Sequence, residues 1–424
     1  MTALAQSRSA SSPLSQDYRY IVVSADGHVG PSVNKQLREY CPKEHLETFE
    51  RFVLQHDSQD KTQSTSPVQL PEKYIEERAK HAAVDGLQDP HARLRDMDAD
   101  GIAADVIYHG GLNQQSIPFS STSLLSWSSP DYVHLEHVGI RMYNRWLSDF
   151  VSVAPHRHVG IAHVPIHDVD LAVKEVSWAA ENGLRAVNLP APRRDFPNYH
   201  ERVWDPLWAA CVETGLSLNT HAGAGDLYPY TGDAATALFL MESQFYARRP
   251  IWILIFSGVF DRHPGLRLVS AEQFGDWVPD LLNEMDTCYL APQTTNLKEK
   301  LKARPSEIWL ENCWVGASFM SNAEAKMGIA HHLEHKLMWG ADYPHIEGTW
   351  PRTMQSMRMS FADLATDVVA KYLGETAIDV YGLDHEALRR EADRIGPTVA
   401  EVSVPLDKIP EHQGFAFREL GRWA

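Results

Sequence analysis

The chain has 424 residues, of which 44% are hydrophobic, and its formal net charge at pH 7 is −17. This length is sufficient to bury a large core, so folding requires neither a disulfide framework nor a structural metal. The negative charge argues against nucleic acid as a partner, because a surface that binds nucleic acid must be basic. The four cysteines are far apart and form no CxxC pair, which favours a reducing, cytoplasmic setting.

The N-terminal residues are mostly small and polar. Residues 1–18, MTALAQSRSASSPLSQDY, contain no apolar core region and are interpreted as a disordered leader, not as a signal peptide. No uninterrupted apolar run in the chain reaches the ~18 residues of a membrane span. We therefore expect no membrane partner.

Short apolar segments alternate with amphipathic segments along the rest of the chain. Eight of the apolar segments are predicted as strands: 19–26, 102–108, 158–164, 184–189, 216–221, 266–272, 308–314 and 336–342. Four segments between them are predicted as helices: 131–150, 168–182, 200–214 and 321–333, with Asp168 as an N-cap. This β-then-α alternation, repeated about eight times over roughly 250 residues or more, predicts a (β/α)8 TIM barrel.

Two segments lie outside the repeat, which is predicted to span residues 19–384. Residues 35–90 are polar and include the low-complexity stretch HDSQDKTQSTSPVQLP. They are predicted to form an insertion after strand 1, on the face where barrel loops shape a site. Residues 385–424 are rich in proline and polar residues and are predicted to form a C-terminal arm across the barrel or a neighbouring subunit. We accordingly expect a homodimer or a higher homo-oligomer.

Residues with metal-ligand chemistry lie at the ends of predicted strands. Asp26 and His28 end the first strand, His221 ends the fifth and Asp342 ends the eighth. Side chains at i and i+2 of a strand point the same way, and active sites of this fold lie at the carboxyl ends of the strands. Two imidazoles with two carboxylates suit one divalent ion, with Zn²⁺ preferred over Mn²⁺ or Fe²⁺. A lone Asp-x-His is more often a capped turn, so this interpretation depends on the convergence of the strand ends.

Several longer motifs make the chain resemble a known family. The segments SADGHV, DMDADGI, APHRHVGIAHVPIHDVDLAVKEV, NTHAG, HPGLRLV and MWGADYPHIEGTWP are together similar to the amidohydrolase-related family, also called amidohydrolase 2, of the aminocarboxymuconate-semialdehyde decarboxylase type. The resemblance implies a metal-dependent (β/α)8 barrel. Members of the family decarboxylate hydroxylated aromatic or unsaturated acids, hydrolyse C–C bonds, or hydrate. The family's metal ligands correspond to Asp26, His28, His221 and Asp342.

The chain departs from the family pattern at two positions. Many members begin with two histidines, whereas this chain has Asp26, which resembles the acid-x-His variant of some decarboxylases. Many members also end strand 6 with an acid/base histidine, where this chain has Glu272. His345 follows Asp342 in a loop of the same face, so we prefer His345 as the replacement, with Glu272 second.

A divalent ion in such a site can serve two reactions. It lowers the pKa of a bound water to ~7, or it chelates a substrate carboxylate and a neighbouring hydroxyl. Asp342 would carry the proton in either case, to the leaving group in hydrolysis or to the ring carbon in decarboxylation. The sequence thus predicts a decarboxylase or hydrolase that acts on a small carboxylated or hydroxylated aromatic compound or a ring-cleavage product. The alternatives are a metal-dependent hydrolase of C–C, amide or ester bonds and a non-catalytic barrel that binds a small molecule.

Four further polar residues lie near the predicted site. His109 follows strand 2 at the catalytic mouth and is a candidate for substrate contact. The resemblance implies that Arg93 or Arg95 reaches a substrate carboxylate, as a family arginine near this motif does, and Arg95 is the substrate-binding candidate. A surface ion pair is the commoner use of such arginines. His163 is interpreted as a core histidine.

Overall fold

A computed structural model of the protein describes residues 13–63, 72–110, 113, 115–120, 130–221, 230, 232–410 and 415–417. Residues 1–12 of the predicted leader, and residues 411–414 and 418–424 of the predicted arm, lie outside the described residues. Within the described ranges, no helix is both long and apolar enough to cross a membrane.

One parallel sheet runs through the described ranges. Its strands are β1 Val23–Ser24, β2 His28–Val29, β3 Ala104–His109, β4 His158–Ala162, β5 Ala186–Asn188, β6 Ser217–Thr220, β7 Leu268–Ser270, β8 Cys313–Ser318 and β9 Leu337–Gly340. Strands β1 and β3 to β9 are neighbours in chain order, and β2 also pairs with β3. The last strand meets the first, because the Ala25 amide donates to the Trp339 carbonyl (2.9 Å) and the Asp342 amide to the Asp26 carbonyl (3.0 Å). β1 and β2 are therefore two parts of one barrel strand, and the predicted (β/α)8 barrel is confirmed.

Helices surround this sheet. They are α1 Leu46–Gln63, α2 Glu72–Ala82, α3 Pro90–Asp100, α4 Glu136–Ser152, α5 Val169–Glu181, α6 Asp205–Thr214, α7 Ala235–Phe256, α8 Val259–Arg262, α9 Val278–Leu290, α10 Pro305–Asn312, α11 Asn322–Ala330, α12 Thr353–Phe361, α13 Thr366–Ala370, α14 Thr376–Tyr381, α15 His385–Ile395 and α16 Val399–Val402. The predicted cap of α5 is present, because Asp168 Oδ1 accepts a hydrogen bond from the Leu171 amide (3.0 Å).

Several predicted boundaries were wrong. The seventh predicted strand spans residues 308–314. In the structure residues 308–312 end α10, and the strand is β8, Cys313–Ser318. Ile308 and Trp309 are buried on one face of α10 whereas Leu310 is 41% exposed, and a short apolar run cannot by itself distinguish a helix face from a strand. The helices predicted at 131–150 and 200–214 begin at Glu136 and Asp205, each after a 3-10 turn.

Alternate residues of the strands divide the core into two layers. Along β3, Ala104, Val106 and Tyr108 pack with the cluster inside the barrel. Ile107 packs in the larger cluster between the strands and the helices. This alternation decides which side chains at the strand ends face the barrel axis.

The insertion and the tail are both structured where they are described. Residues 35–90 include α1 and α2. In the tail, Leu388 and Ala392 of α15 are buried in the same cluster as the interior of the barrel. Farther on, Phe417 packs with Phe319, which follows β8. The last described residues thus lie at the carboxyl end of the barrel, where the strand-end polar residues are found.

Candidate metal centre

Carboxylate and imidazole side chains meet at the carboxyl end of the barrel. Their ligand atoms form three overlapping groups, in each of which the atoms lie within 4.8 Å of one another: Asp26, His28 and His221; His28, Asp342 and His345; and Glu272, Asp342, His345 and Glu347. These residues come from the first, fifth, sixth and eighth barrel strands or the loops after them. The four predicted ligands and both predicted acid/base residues are therefore brought together.

The predicted ligands face one another through single atoms. Asp26 Oδ1 is 3.5 Å from His28 Nε2 and 3.3 Å from His221 Nε2. Asp342 Oδ1 lies 3.1 Å from His28 Nε2. The rings of His28 and His221 meet edge to face, with their centroids 4.9 Å apart. His28 thus lies between Asp26 and His221 on one side and Asp342 on the other, and it belongs to a ligand group with each.

Three of the donor atoms lack the partners that buried polar atoms require. Both oxygens of Asp342 and His28 Nε2 are buried and make no hydrogen bond with any described residue. His28 Nδ1 lies 3.4 Å from the His109 carbonyl, and burial lowers the pKa of His28 well below its usual value. The neutral ring therefore directs the lone pair of Nε2 at carboxylate oxygens. Lone pairs that face each other in a buried site call for a cation, so these residues fit a divalent metal ion.

The second oxygen of Asp26 is already occupied. Ser318 Oγ donates to Asp26 Oδ2 over 2.6 Å. Ser24 Oγ donates to the Asp26 carbonyl (2.6 Å) and accepts from the Ala341 amide (2.8 Å). These bonds fix the carboxylate and leave Oδ1 directed at the imidazoles. Ser318 was missed in the sequence, because the misplaced strand 7 ended four residues before it.

Two of the carboxylates follow their strands with an unusual backbone conformation. Glu272 and Asp342 have φ values of 50° and 54°, in the left-handed region that residues other than glycine rarely adopt. Each lies two residues beyond the end of its strand, after β7 and β9 respectively. Strain of this kind persists where the surrounding structure imposes it, and it clusters at functional sites.

His345 lies between Asp342 and the end of β3. Its ring stacks on that of His28, with centroids 4.0 Å apart. Nε2 lies 3.1 Å from the Gly110 carbonyl, and Nδ1 lies 3.1 Å from Asp342 Oδ1. Although burial opposes it, the carboxylate of Asp342 raises the pKa of His345 well above its usual value. His345 is therefore placed to hold a proton against Asp342.

The carboxyl groups of Glu272 and Asp342 have distinct surroundings. Burial, to which the charges of Asp26 and Glu347 add, raises the pKa of Glu272 to about 7. Glu272 Oε2 is 3.4 Å from His221 Nδ1, the ring nitrogen that faces away from Asp26. A carboxylate in this position orients a ligating histidine. Burial also raises the pKa of Asp342 well above its usual value, with Asp26 and Glu272 adding to the rise. This direction is expected of crowded carboxylates that lack a cation.

Two side chains predicted to contact the substrate lie elsewhere. The His109 ring packs edge-on against Tyr143 of α4, with centroids 5.2 Å apart, because the alternation along β3 turns Tyr108 inward instead. Arg95 is exposed on α3. Neither side chain joins the cluster, and the substrate roles of both stay predictions; His109 contributes its carbonyl, which lies 3.4 Å from His28 Nδ1. His163 is buried against Tyr143, and burial lowers its pKa to about 3.

A buried ion pair beneath the cluster was missed. Arg93 Nη1 donates to the His28 carbonyl (2.9 Å), and Arg93 Nε donates to Asp105 Oδ2 (2.8 Å). His158 Nδ1 lies 2.7 Å from the other oxygen of Asp105. Although burial opposes it, the Arg93 guanidinium lowers the pKa of Asp105 to about 2. Arg93 thus holds the backbone of the predicted ligand His28 and does not contact the ligand side chains. The sequence signal for its burial was the spacing of four residues between Arg93 and Met97, which places both on one face of the helix.

A polar layer lies inside the barrel under the imidazoles. The Tyr108 ring is 4.7 Å from that of His221. Asn219 Nδ2 donates to the Tyr108 hydroxyl (2.7 Å) and to the Tyr381 hydroxyl (2.8 Å). Asn219 lies two residues before His221, so strand alternation was the signal that could have found it.

Comparisons with known proteins agree with this architecture. The amidohydrolase family model matches residues 89–383. A solved amidohydrolase from Mycobacterium avium subsp. paratuberculosis K-10 has a TM-score of 0.62 at 17% identity, covering 86% of this chain and 99% of that protein.

Two decarboxylases are also similar in structure. The 5-carboxyvanillate decarboxylase from Novosphingobium aromaticivorans DSM 12444, complexed with manganese and 4-hydroxy-3-methoxy-5-nitrobenzoic acid, has a TM-score of 0.61 at 18% identity, covering 87% of this chain and 100% of that protein. The 2,6-dihydroxybenzoate decarboxylase from Rhizobium has a TM-score of 0.56 at 16% identity, covering 86% and 99% respectively. At these identities the likeness shows the fold.

Proposed function

The chain belongs to the amidohydrolase family, and we propose that it is a metal-dependent enzyme that decarboxylates a small hydroxylated aromatic acid. The observation that carries the proposal is that His28 lies in one ligand group with Asp26 and His221 and in another with Asp342, while His28 Nε2 and both oxygens of Asp342 are buried without a hydrogen bond to any described residue. The decarboxylases of similar fold support this reaction over the others known for the family's barrel. A small-molecule partner follows from the proposal, and the homodimer stays a prediction.

Asp26, His28, His221 and Asp342 would hold the cation. When bound, it supplies a Lewis acid that chelates a substrate carboxylate and a neighbouring hydroxyl. Two imidazoles and two carboxylates suit either Mn²⁺ or Zn²⁺. The similar 5-carboxyvanillate decarboxylase was solved with manganese, so Mn²⁺ is the first ion to test and Zn²⁺, the ion expected from the sequence, is the second.

Asp342 and His345 would supply the proton that decarboxylation consumes. The bond between the ring carbon and the carboxylate breaks, its electron pair stays on the ring carbon, and a proton forms the new C–H bond as CO₂ leaves. Both oxygens of Asp342 are buried and make no hydrogen bond with any described residue, so one oxygen can face the cation while the other carries this proton. His345 Nδ1, 3.1 Å from Asp342 Oδ1, is within proton-transfer distance and would restore the proton from solvent.

A second candidate, hydrolysis, is favoured by one specific feature. Glu272 replaces the expected histidine after strand 6, and its pKa is raised to about 7. A carboxylate with a pKa near neutrality is a suitable general base for the proton of an attacking water. Esters, amides and C–C hydrolase substrates therefore belong in the same assay.

The test begins with protein freed of metal by chelation and reloaded with Mn²⁺ or Zn²⁺. We expect monocyclic benzoic acids with a hydroxyl next to the carboxylate to yield CO₂ and the matching phenol, measured by mass spectrometry. The para isomer, which cannot chelate, is the substrate control, and His221→Ala is the protein control. Hydrolysis of an ester or C–C substrate without any decarboxylation would favour the second candidate. Protein that retains no divalent ion would favour the non-catalytic alternative.

A further inference from the structure

Helix α7 exposes large apolar side chains along one side. Leu238, Met241 and Phe245 are 39%, 75% and 54% exposed, and their spacing of three and four residues places them on one side of the helix. Trp252 extends this side beyond Pro250, because the centroids of the Trp252 and Phe245 rings are 5.7 Å apart. We call Leu238, Met241, Phe245 and Trp252 the α7 stripe. Contiguous exposed apolar surfaces of this kind mark interaction sites.

The opposite side of α7 packs on the barrel. Ile251 is buried in the core between the strands and the helices. Gln244 Nε2 donates to the Glu272 carbonyl (3.3 Å), and Arg248 Nε donates to Gln273 Oε1 (2.7 Å). The fold therefore fixes α7 through its inner side and leaves the α7 stripe available to a partner.

Two charged residues flank the α7 stripe. Glu242 accepts a hydrogen bond from the Tyr230 hydroxyl, and the Arg249 guanidinium lies 5.4 Å from the centroid of the Tyr246 ring. Neither Glu242 nor Arg249 forms a salt bridge with a residue that the structure describes. At about 100° per residue, the two side chains fall on the same flank of the α7 stripe, about one turn before and one turn after Phe245. An acid and a base without partners in their own chain favour oppositely charged neighbours on another.

The arrangement is symmetric about Phe245. Positions 238, 241, 245, 249 and 252 are separated by three, four, four and three residues, so the order of the spacings is the same in both directions along the helix. Two such helices can pack antiparallel about a two-fold axis at Phe245. Leu238 then faces Trp252 of the second copy, and Glu242 faces Arg249 of the second copy. Both contacts occur twice, because the axis repeats them.

We propose that the α7 stripe binds the α7 stripe of a second copy of this chain, in an antiparallel helix pair centred on Phe245. The C-terminal arm, predicted to lie across the barrel or a neighbouring subunit, packs Phe417 on Phe319 of its own barrel. The second copy restrains the helix that holds the Glu272 carbonyl. A single helix pair buries less surface than a standard interface, so the dimer dissociates on dilution. The pairing does not depend on the proposed reaction.

Sedimentation velocity tests whether the chain associates with itself. The full chain is measured from about 1 to 100 µM, a range in which a small interface dissociates. We expect a reversible equilibrium between monomer and dimer. A protein that stays monomeric at every concentration would overturn the proposal, whatever the outcome of the decarboxylation assay.

Charge reversal tests the register of the pair. Glu242→Arg places arginines opposite each other at both ends of the helix pair and should weaken association by about tenfold or more. The double variant, Glu242→Arg with Arg249→Glu, restores opposite charges and should return the dissociation constant to within about threefold of the wild type. Glu386→Arg, at an exposed glutamate of α15, is the matched control and should have no effect. A double variant as weak as Glu242→Arg alone would contradict the antiparallel register.

A charge within the α7 stripe tests its apolar contact. Met241→Glu should leave the protein monomeric over the same concentrations, because the carboxylate would have to lose its water in the helix pair. Leu54→Glu, at a side chain of α1 that is 71% exposed, is the matched control and should not affect the equilibrium. Circular dichroism checks that both variants stay folded. A dimer that survives Met241→Glu uses another surface and contradicts the assignment.

A cysteine variant tests the position of the two-fold axis. A residue on the axis of a close helix pair meets its own symmetry mate, and a disulfide needs Cα atoms ~4.4–6.8 Å apart. Phe245→Cys, oxidised with glutathione disulfide, should therefore form a covalent dimer on a non-reducing gel. The wild type, whose exposed cysteine is Cys288, is the control and should not. Absence of the cross-link in a dimeric Phe245→Cys protein would place the axis elsewhere and overturn the proposed pairing.

Discussion

The two halves of the cluster are held in different ways. In the inner half, Asp26, His28 and His221 lie in or directly after barrel strands. Ser318 of β8 holds the carboxylate of Asp26, and Arg93 of α3 holds the carbonyl of His28. In the outer half, Glu272, His345 and Glu347 follow the strand ends in loops. Strand ends provide ligands whose positions the barrel determines. Loops provide groups whose positions depend on what packs over them.

Distant parts of the chain pack over the outer half. We call residues 342–350 the catalytic loop. His81 Nδ1 of α2 lies 2.6 Å from the Pro344 carbonyl of this loop. The Ala416 amide donates to the Glu347 carbonyl over 3.0 Å. The insertion and the C-terminal tail therefore both contact the loop that carries His345 and Glu347.

The largest expected effect comes from Asp342, which joins the two halves. Asparagine keeps the size and one carbonyl oxygen of aspartate but cannot hold a proton at neutral pH. Asp342→Asn should retain the cation at reduced affinity, while turnover falls by ~10² to 10⁴, the usual contribution of a general acid or base. Turnover is measured on the substrate found for the wild type, with metal content counted in parallel. A variant that keeps its metal and nearly normal turnover would move the proton transfer to His345 or Glu272.

The next effect tests the support under the inner half. Asp105→Asn leaves the buried Arg93 charge without its partner, which typically costs ~3–5 kcal/mol in the free energy of unfolding. Since the pKa of Asp105 is lowered to about 2 in the folded protein, its stabilisation is present above the unfolded pKa of about 4 and is lost as the pH falls toward 2. Urea unfolding at pH 7, 4 and 3 should show the difference between wild type and variant shrinking at the lowest pH.

A surface pair provides the control for Asp105. Asp363 is paired with Lys326, with both side chains more than half exposed, and Asp363→Asn should change stability by about 1 kcal/mol or less. Equal losses for the two variants would mean that burial of the Arg93 pair adds nothing. Metal affinity should fall only for Asp105→Asn, since Arg93 also holds the carbonyl of His28.

The same division decides what the sequence could predict. Asp26, His28, His221 and Asp342 were found because two local rules, side-chain alternation and the location of sites at strand ends, were enough to bring them together. The barrel itself followed from the repeated alternation of elements. These inferences require no knowledge of which distant residues are in contact.

The remainder depends on packing that no local pattern records. The register of β3 determines that Tyr108 faces inward and His109 outward, and register is set by neighbouring strands. Ser318 was missed because a buried helix face and a strand look alike over five residues. Arg93 was interpreted as a surface residue because its partner, Asp105, becomes apparent only when α3 packs on the sheet.

The smallest expected effect tests whether the tail holds the catalytic loop in place. Phe417 is buried with Phe319, and Phe274 packs against them. Phe319 directly follows Ser318 at the end of β8, and Phe274 lies two residues after Glu272, beyond β7. Phe417→Ala should release the tail without unfolding the barrel, because the small cluster is separate from the main core and opens locally. We expect faster hydrogen exchange in the catalytic loop, where the Gly348 amide bonds the His345 carbonyl (3.1 Å). Turnover should fall by less than the ~10²-fold that a 1 Å misplacement of a reacting group can cost, with the bound metal unchanged.

Ile409→Ala is the matched control, because Ile409 lies in the same tail and is 43% exposed. It should alter neither the exchange of the catalytic loop nor turnover. If Phe417→Ala also left the exchange unchanged, the loop would be held by its own turn and by α2, and the tail would be a passive cover. If the exchange rose and the bound metal was lost as well, the two halves of the cluster would not be independent. We therefore expect Phe417→Ala to alter the exchange of the loop without changing the bound metal. That result would agree with ligands whose positions are fixed by strands and with proton-carrying groups whose positions depend on loops.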